Sequence, residues 1–149
     1  MARFTAREIA DWFLAWADVF EADVTNLSVQ TLLYYAQGHY LALNNAPLFD
    51  DEIQAWARGP VVPSLYRAFD LYGSGPIDSE EIGESFDWEQ YKTIESLLMD
   101  VWECYGSLAA WALREKAQRE PPWREAFADA LSHREIGRSQ LRNYFLELG

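Results

Sequence analysis

Between Thr25 and Tyr72 the sequence leaves the chain few ways to fold. Val29, Leu32, Leu33, Ala36, Tyr40 and Leu43 follow the i, i+3, i+4, i+7 spacing of one helix face. Thr25 stands where an N-cap belongs, and Asn44-Asn45-Ala46-Pro47 carries the turn chemistry that ends a helix. Leu27, Tyr34, Tyr35 and Leu41 widen the apolar surface beyond one stripe, which predicts a central helix contacted on several sides. Gly38 interrupts it at a cost of about 1 kcal/mol relative to alanine, and close approach of another backbone would explain it. From Leu48 to Trp56 there is no helical period: Leu48 and Phe49 read as buried, Asp50-Asp51-Glu52 as exposed, and 53–57 as a short extended segment. Gly59-Pro60 then breaks the chain in an elbow. Pro63 pushes Val62 toward an extended conformation and suits the first position of a new helix, where its missing N–H would go unpaired anyway. Leu65, Phe69 and Tyr72 give that helix a buried face, and Gly73-Ser74-Gly75-Pro76 ends it.

A helix contacted all round needs neighbours. Thr5 and Glu8 fit a capping box that opens a helix with Ile9, Trp12, Phe13, Trp16 and Phe20 on one face. Residues 77–86 read as an exposed, mobile acidic connector. Asp87 with Gln90 caps a long helix whose core face holds Tyr91, Ile94, Leu97, Leu98, Val101, Trp102 and Tyr105. Gly106 stops it, and Ser107 caps a helix that holds Leu108, Trp111 and Leu113, its context explaining Trp111 as core. After Pro121-Pro122, one short helix is expected around Trp123, Phe127 and Leu131, and a last one around Leu141, Tyr144, Phe145 and Leu148. No repeat or linker divides the chain. The expected architecture is all-α, a single compact domain over residues 1–149 with six or seven helices and the extended segment near 53–57.

The formal charge of −12 is uneven: residues 50–100 carry twelve acids against three bases, and residues 101–149 balance at seven each. Such a chain is a poor ligand for nucleic acid, whose affinity comes from Lys and Arg. Its field suits encounter with a basic protein, or keeps a solvated face in water. No run approaches the roughly 18 apolar residues of a membrane span. Glu8 and Asp11 interrupt the place where a secretory signal needs an apolar stretch, so a cytoplasmic protein is expected.

Chemistry is hard to place. His39 and His133 have no metal-ligand pattern beside them, and His39 reads as a helix-surface or satisfied histidine. Asp50, Asp51 and Glu52 could hold a hard cation, yet lack the alternation and glycine of a calcium loop, which favours a solvated turn. Gly73-Ser74-Gly75-Pro76 lacks the lysine of a phosphate loop. Cys104, the single cysteine, reads as inert packing inside a helix. Neither metal nor cofactor is expected, and an enzyme built on His39 is the minor reading. Seven Trp and eight Tyr exceed what a domain this size readily hides. Tyr34, Tyr35 and Trp56 are the aromatics best placed to rim a partner groove.

The strings LLYYAQGHYLAL, PLFDDEIQAW and GPVVPSLYRAF, in that order and spacing, resemble the Panacea domain of SocA-like antitoxins. The resemblance is closest over residues 25–72 and weaker over 90–127, with the first and last helices as variable decoration. Thr31 stands nearest to where the family commonly has a lysine, and Ala117-Gln118 replaces its usual Thr-His pair. The resemblance implies an antitoxin of a bacterial or prophage toxin–antitoxin pair, not an enzyme, that binds its cognate toxin directly. A protease adaptor handing the toxin to an ATP-dependent protease is the implied alternative. A phage or host interaction protein on the same scaffold is another. Some members of the family carry an added DNA-binding domain; none is expected here, nor, from the lack of a long apolar run, is membrane contact. The scaffold positions carried over are Tyr34, Tyr35, Gln37, Phe49, Trp56, Gly59, Pro60, Pro63 and Trp123. Asp50 and Asp51 join Tyr34, Tyr35, Gln37, Trp56, Gly59 and Pro60 as candidate partner contacts.

Overall fold

Helix α2, Asn26–Asn44, is the axis of the domain. Thr25 Oγ accepts from the Ser28 N–H at 3.2 Å while Ser28 Oγ accepts from the Thr25 N–H at 2.8 Å, a reciprocal cap. Asn45 closes the other end in the left-handed region at φ 52°. In this computed structural model, which describes residues 2–128 and 134–148, α2 packs against α1 (Ala6–Val19), α4 (Glu95–Tyr105), α5 (Ala110–Gln118) and α7 (Arg138–Leu148). The short helices α3 (Pro63–Ala68) and α6 (Pro121–Ala126) bring the described α-helices to seven. Leu131 and His133 lie outside the described residues. No described helix is long and apolar enough to cross a membrane. The all-α expectation holds, with one small sheet added.

That sheet corrects the reading of Gly59-Pro60 as a simple break. Strands β1 (Gln54–Trp56) and β2 (Gly59–Val61) form an antiparallel hairpin with pairs Gln54↔Val61, Ala55↔Pro60 and Trp56↔Gly59. β3 (Arg134–Glu135) adds to the far side of β1, giving the order β2-β1-β3. The chain reverses at Ala57-Arg58, and Gly59, which opens β2 behind that turn, has φ +115°, which L side chains rarely adopt. Pro60 has no N–H to give a ladder and is tolerated because β2 is an edge strand.

Five local expectations change. The 77–86 connector is docked, not loose: Ile77 is buried, a 3-10 turn spans Ser79–Ile82, and Glu81 accepts from both Arg7 and the Tyr72 hydroxyl. Asp87 caps a separate 3-10 turn, Trp88–Tyr91, so the long helix starts later, at Glu95. Ala109, not Ser107, is the N-cap residue of α5. Trp111 is 65% exposed and Cys104 is also exposed, because α4 and α5 each turn only one face inward. Gly38 makes room for a ring, not a backbone: a Cβ there would fall inside the Phe145 ring of α7.

Candidate functional site

The extended chain between α2 and α3 leaves its peptide groups without helical partners. Buried ones must find acceptors and donors elsewhere. A row of amides on α2 supplies them. Asn26, Gln30 and Gln37 fall at i, i+4 and i+11, hence on one face of the helix. Gln37 donates to the Phe49 carbonyl at 2.8 Å and accepts from the Leu48 N–H at 2.7 Å. Gln30 accepts from the Val62 N–H at 2.8 Å and is steadied by Asn26 at 3.0 Å. Asn26 donates to the Tyr66 carbonyl at 3.0 Å. These amides fix where the hairpin enters and leaves. Gln37→Met keeps the volume and removes both bonds, so urea denaturation is expected to show a loss of about 1–3 kcal/mol.

The hairpin's outer side is fastened from α5 and α6. Trp123 Nε1 donates to the Trp56 carbonyl at 3.0 Å, and Gln118 Nε2 donates to the Ala57 carbonyl at 2.8 Å. Gln118 is one of the departures from the family pattern, and it ties down the hairpin tip. The other, Thr31, bonds back to the Leu27 carbonyl within α2. Trp56 is half-buried, its indole donating to Gln54 and its ring edge-on to Tyr66 at 5.1 Å.

Tyr34 and Tyr35 do not stand at a groove rim. Both are 0% exposed, and their hydroxyls donate to the two oxygens of Glu120 at 2.9 and 3.0 Å. Adjacent residues on α2 point about 100° apart, yet here both flanks are covered, one ring stacking on Tyr105 at 3.8 Å and both meeting Phe145. Glu120, the N-cap residue of α6, is itself buried, with Lys116 Nζ 3.7 Å away. Burial pushes its carboxyl above the ordinary value of 4.5, against the pull of the tyrosine hydroxyls and Lys116.

Asp50 and Asp51 sit apart from the hairpin. Asp51 accepts from the Ala6 N–H at the start of α1 at 2.9 Å, and Asp50 accepts from Ala2 N–H and from Arg138 of α7. The acids anchor the first and last helices. His39 is half-buried, 2.9 Å from the Tyr105 hydroxyl, with its pKa lowered by desolvation. The structure therefore unites Trp56, Gly59 and Pro60 with Trp123. Tyr34, Tyr35 and Gln37 lie beneath as support, and Asp50 and Asp51 lie to one side.

Sequence reasoning missed Asn26, Gln30, Glu120 and the charge pattern around the hairpin. The i, i+4, i+11 run of amides in an otherwise apolar helix was the available signal for the first two. Residues 54–69 and 109–126 hold six bases (Arg58, Arg67, Arg114, Lys116, Arg119 and Arg124) against Glu115, Glu120 and Glu125. Residues 70–108 hold ten acids and only Lys92. The bases thus gather in the segments around the hairpin and the acids in residues 70–108.

Residues 29–124 match the family model described as antitoxin SocA-like, Panacea domain. The chain is 38% identical over 68 residues to the antitoxin SocA of Caulobacter vibrioides (strain NA1000 / CB15N). That match covers 46% of this chain and 36% of the relative, so it spans just over a third of the relative's length. No solved structure matches the chain. The matched residues run from within α2 to α6 and include Gln30, Gln37, the hairpin and Trp123, whereas Asn26, α1 and α7 lie outside them.

Proposed function

The chain belongs to the family of SocA-like antitoxins with a Panacea domain, and from that premise we propose that it neutralises a cognate protein toxin by binding it directly. The observation that carries this reading is the investment of the matched residues in one surface. Gln30, Gln37, Gln118 and Trp123, with Asn26 just ahead of the matched span, all hydrogen-bond backbone of residues 48–66, fixing the hairpin before any partner arrives. A surface fixed in advance loses little conformational freedom on binding, which favours affinity. Trp56 and Trp111 give it aromatic anchors of the kind that dominate protein interfaces. The mechanism is occlusion, with no chemistry performed by this chain. The acidic residues 70–108 draw in a partner of net positive charge.

Co-expression with the product of the adjacent reading frame tests the reading. A product that is toxic alone, harmless with this chain and co-purified with it supports the proposal. A neighbour that is neither rescued nor retained removes it. Rescue that persists in a strain lacking ATP-dependent proteases marks occlusion, and rescue that vanishes there marks delivery for degradation. Trp56→Ala is expected to weaken the complex at least about tenfold while keeping the far-UV spectrum and lowering stability by only about 1–2 kcal/mol, the loss of a half-buried ring contact.

A further inference from the structure

Beside the hairpin lies a cleft of about 430 Å³ with an unusual lining for so acidic a protein. Arg58, Arg114, Tyr66 and Trp111 line it, with Leu27 and Asp70. Arg58 donates to the Tyr66 hydroxyl at 3.0 Å and has no carboxylate within ion-pair distance among the described residues. Arg114 likewise has no ion pair there, and its buried Nε–H has no acceptor.

The fold aims both side chains at this cleft. The Arg114 stem lies across Gly59, whose missing Cβ would sit 3.2 Å from Arg114 Cγ. Tyr66, which receives Arg58, is held from below by Asn26. Trp111, 65% exposed, supplies an apolar wall that nothing in the domain covers. Two guanidinium forks beside an open indole match one chemistry: a carboxylate carried next to an apolar side chain.

Resting on the antitoxin reading, we propose that this cleft binds an acidic side chain of the partner, flanked by an aromatic or aliphatic residue, and so fixes the register of the complex. The net charge of −12 disfavours a polyanion such as nucleic acid, whereas one local carboxylate meets two arginines. Asp70 shares the cleft and opposes any anion there. That opposition is itself a test. The long-range field selects a basic partner, and the cleft then asks that partner for one acid in one place.

An array of blocked ten-residue peptides, varied in sequence, is the direct probe. Wild-type protein is expected to retain peptides that place Asp or Glu next to Trp, Phe, Leu or Met. The Arg58→Ala, Arg114→Met double variant keeps the stem over Gly59 but removes both charges, and is expected to lose that binding about tenfold or more. Asp70→Asn is expected to strengthen it a few-fold, a change no merely structural role would give. Selection of peptides without acids, or equal binding by the double variant, overturns the proposal. So does displacement by millimolar inorganic phosphate, which marks an unselective anion site. In the co-expression assay, a double variant that still rescues defeats the cleft alone, whereas failure of the wild type defeats the antitoxin reading and leaves the array to judge the cleft.

Discussion

Glu120→Ala is expected to destabilise the domain by about 3–5 kcal/mol, the usual cost of removing one partner from a buried charged network. The Tyr34 and Tyr35 hydroxyls donate to its two oxygens at 2.9 and 3.0 Å, and both rings are fully buried, so no water replaces the lost acceptor. A domain of this size has about 5–15 kcal/mol in total, so the variant should melt far earlier and express poorly. Glu120→Gln keeps one carbonyl acceptor and should cost clearly less. The pair also predicts a pH signature. The folded carboxyl is raised above its unfolded value of 4.5, so between those two values the folded state binds more protons. Stability from this group therefore falls as pH rises through that window and recovers on acidification. Asp11, also raised by burial, adds the same slope, and His39, lowered by burial, adds the opposite slope below 6.5. Only the difference between the wild type and Glu120→Gln isolates Glu120. Urea titrations from pH 4 to pH 8 should show the wild-type slope flatten in that variant. An unchanged slope would mean that Glu120 is charged throughout.

The helices of this fold were legible where one face repeats and the caps are local. α2 was read correctly from its apolar spacing and Thr25, and α1 from Thr5 and Glu8, since all those contacts lie within a few residues. The hairpin was read only as an extended segment with an elbow. Its strands are three residues each, too short for an alternation to register, and β3 joins from about eighty residues away. Trp111 was read as core because helical spacing cannot say which face finds a neighbour. The candidate site was legible in its members but not in its layers. Tyr34, Tyr35 and Trp56 stood out as aromatics, yet the partner that buries the tyrosines is Glu120, 86 and 85 positions along the chain. The cleft was invisible for the same reason, since Arg58 and Arg114 come to line one cleft only once α5 packs on the hairpin.

The last helix, read from sequence as decoration, should prove indispensable, and Phe145 is the residue that decides it. Its ring fills the notch left by Gly38 and touches Tyr34, Tyr35 and His39. Phe145→Ala is expected to cost about 3–5 kcal/mol, as for other large aromatics cut from a core. Gly38→Ala puts a methyl group where the ring lies and should cost about 1–3 kcal/mol by overpacking. Combined, the two should not add. With the ring gone, the alanine at 38 has room and gains the roughly 1 kcal/mol that alanine holds over glycine inside a helix, so its effect should change sign. Urea denaturation of the four proteins measures that coupling. Persistent destabilisation by Gly38→Ala in the Phe145→Ala background would show that the glycine answers to something other than α7. The same variants separate support from contact. Loss of Phe145 loosens the floor under Tyr34 and Tyr35, so partner binding and stability should fall together, whereas Trp56→Ala should lower binding far more than its smaller cost in stability accounts for. α7 lies outside the residues that match the family, yet on this account the matched surface stays rigid only because α7 closes the far side of α2.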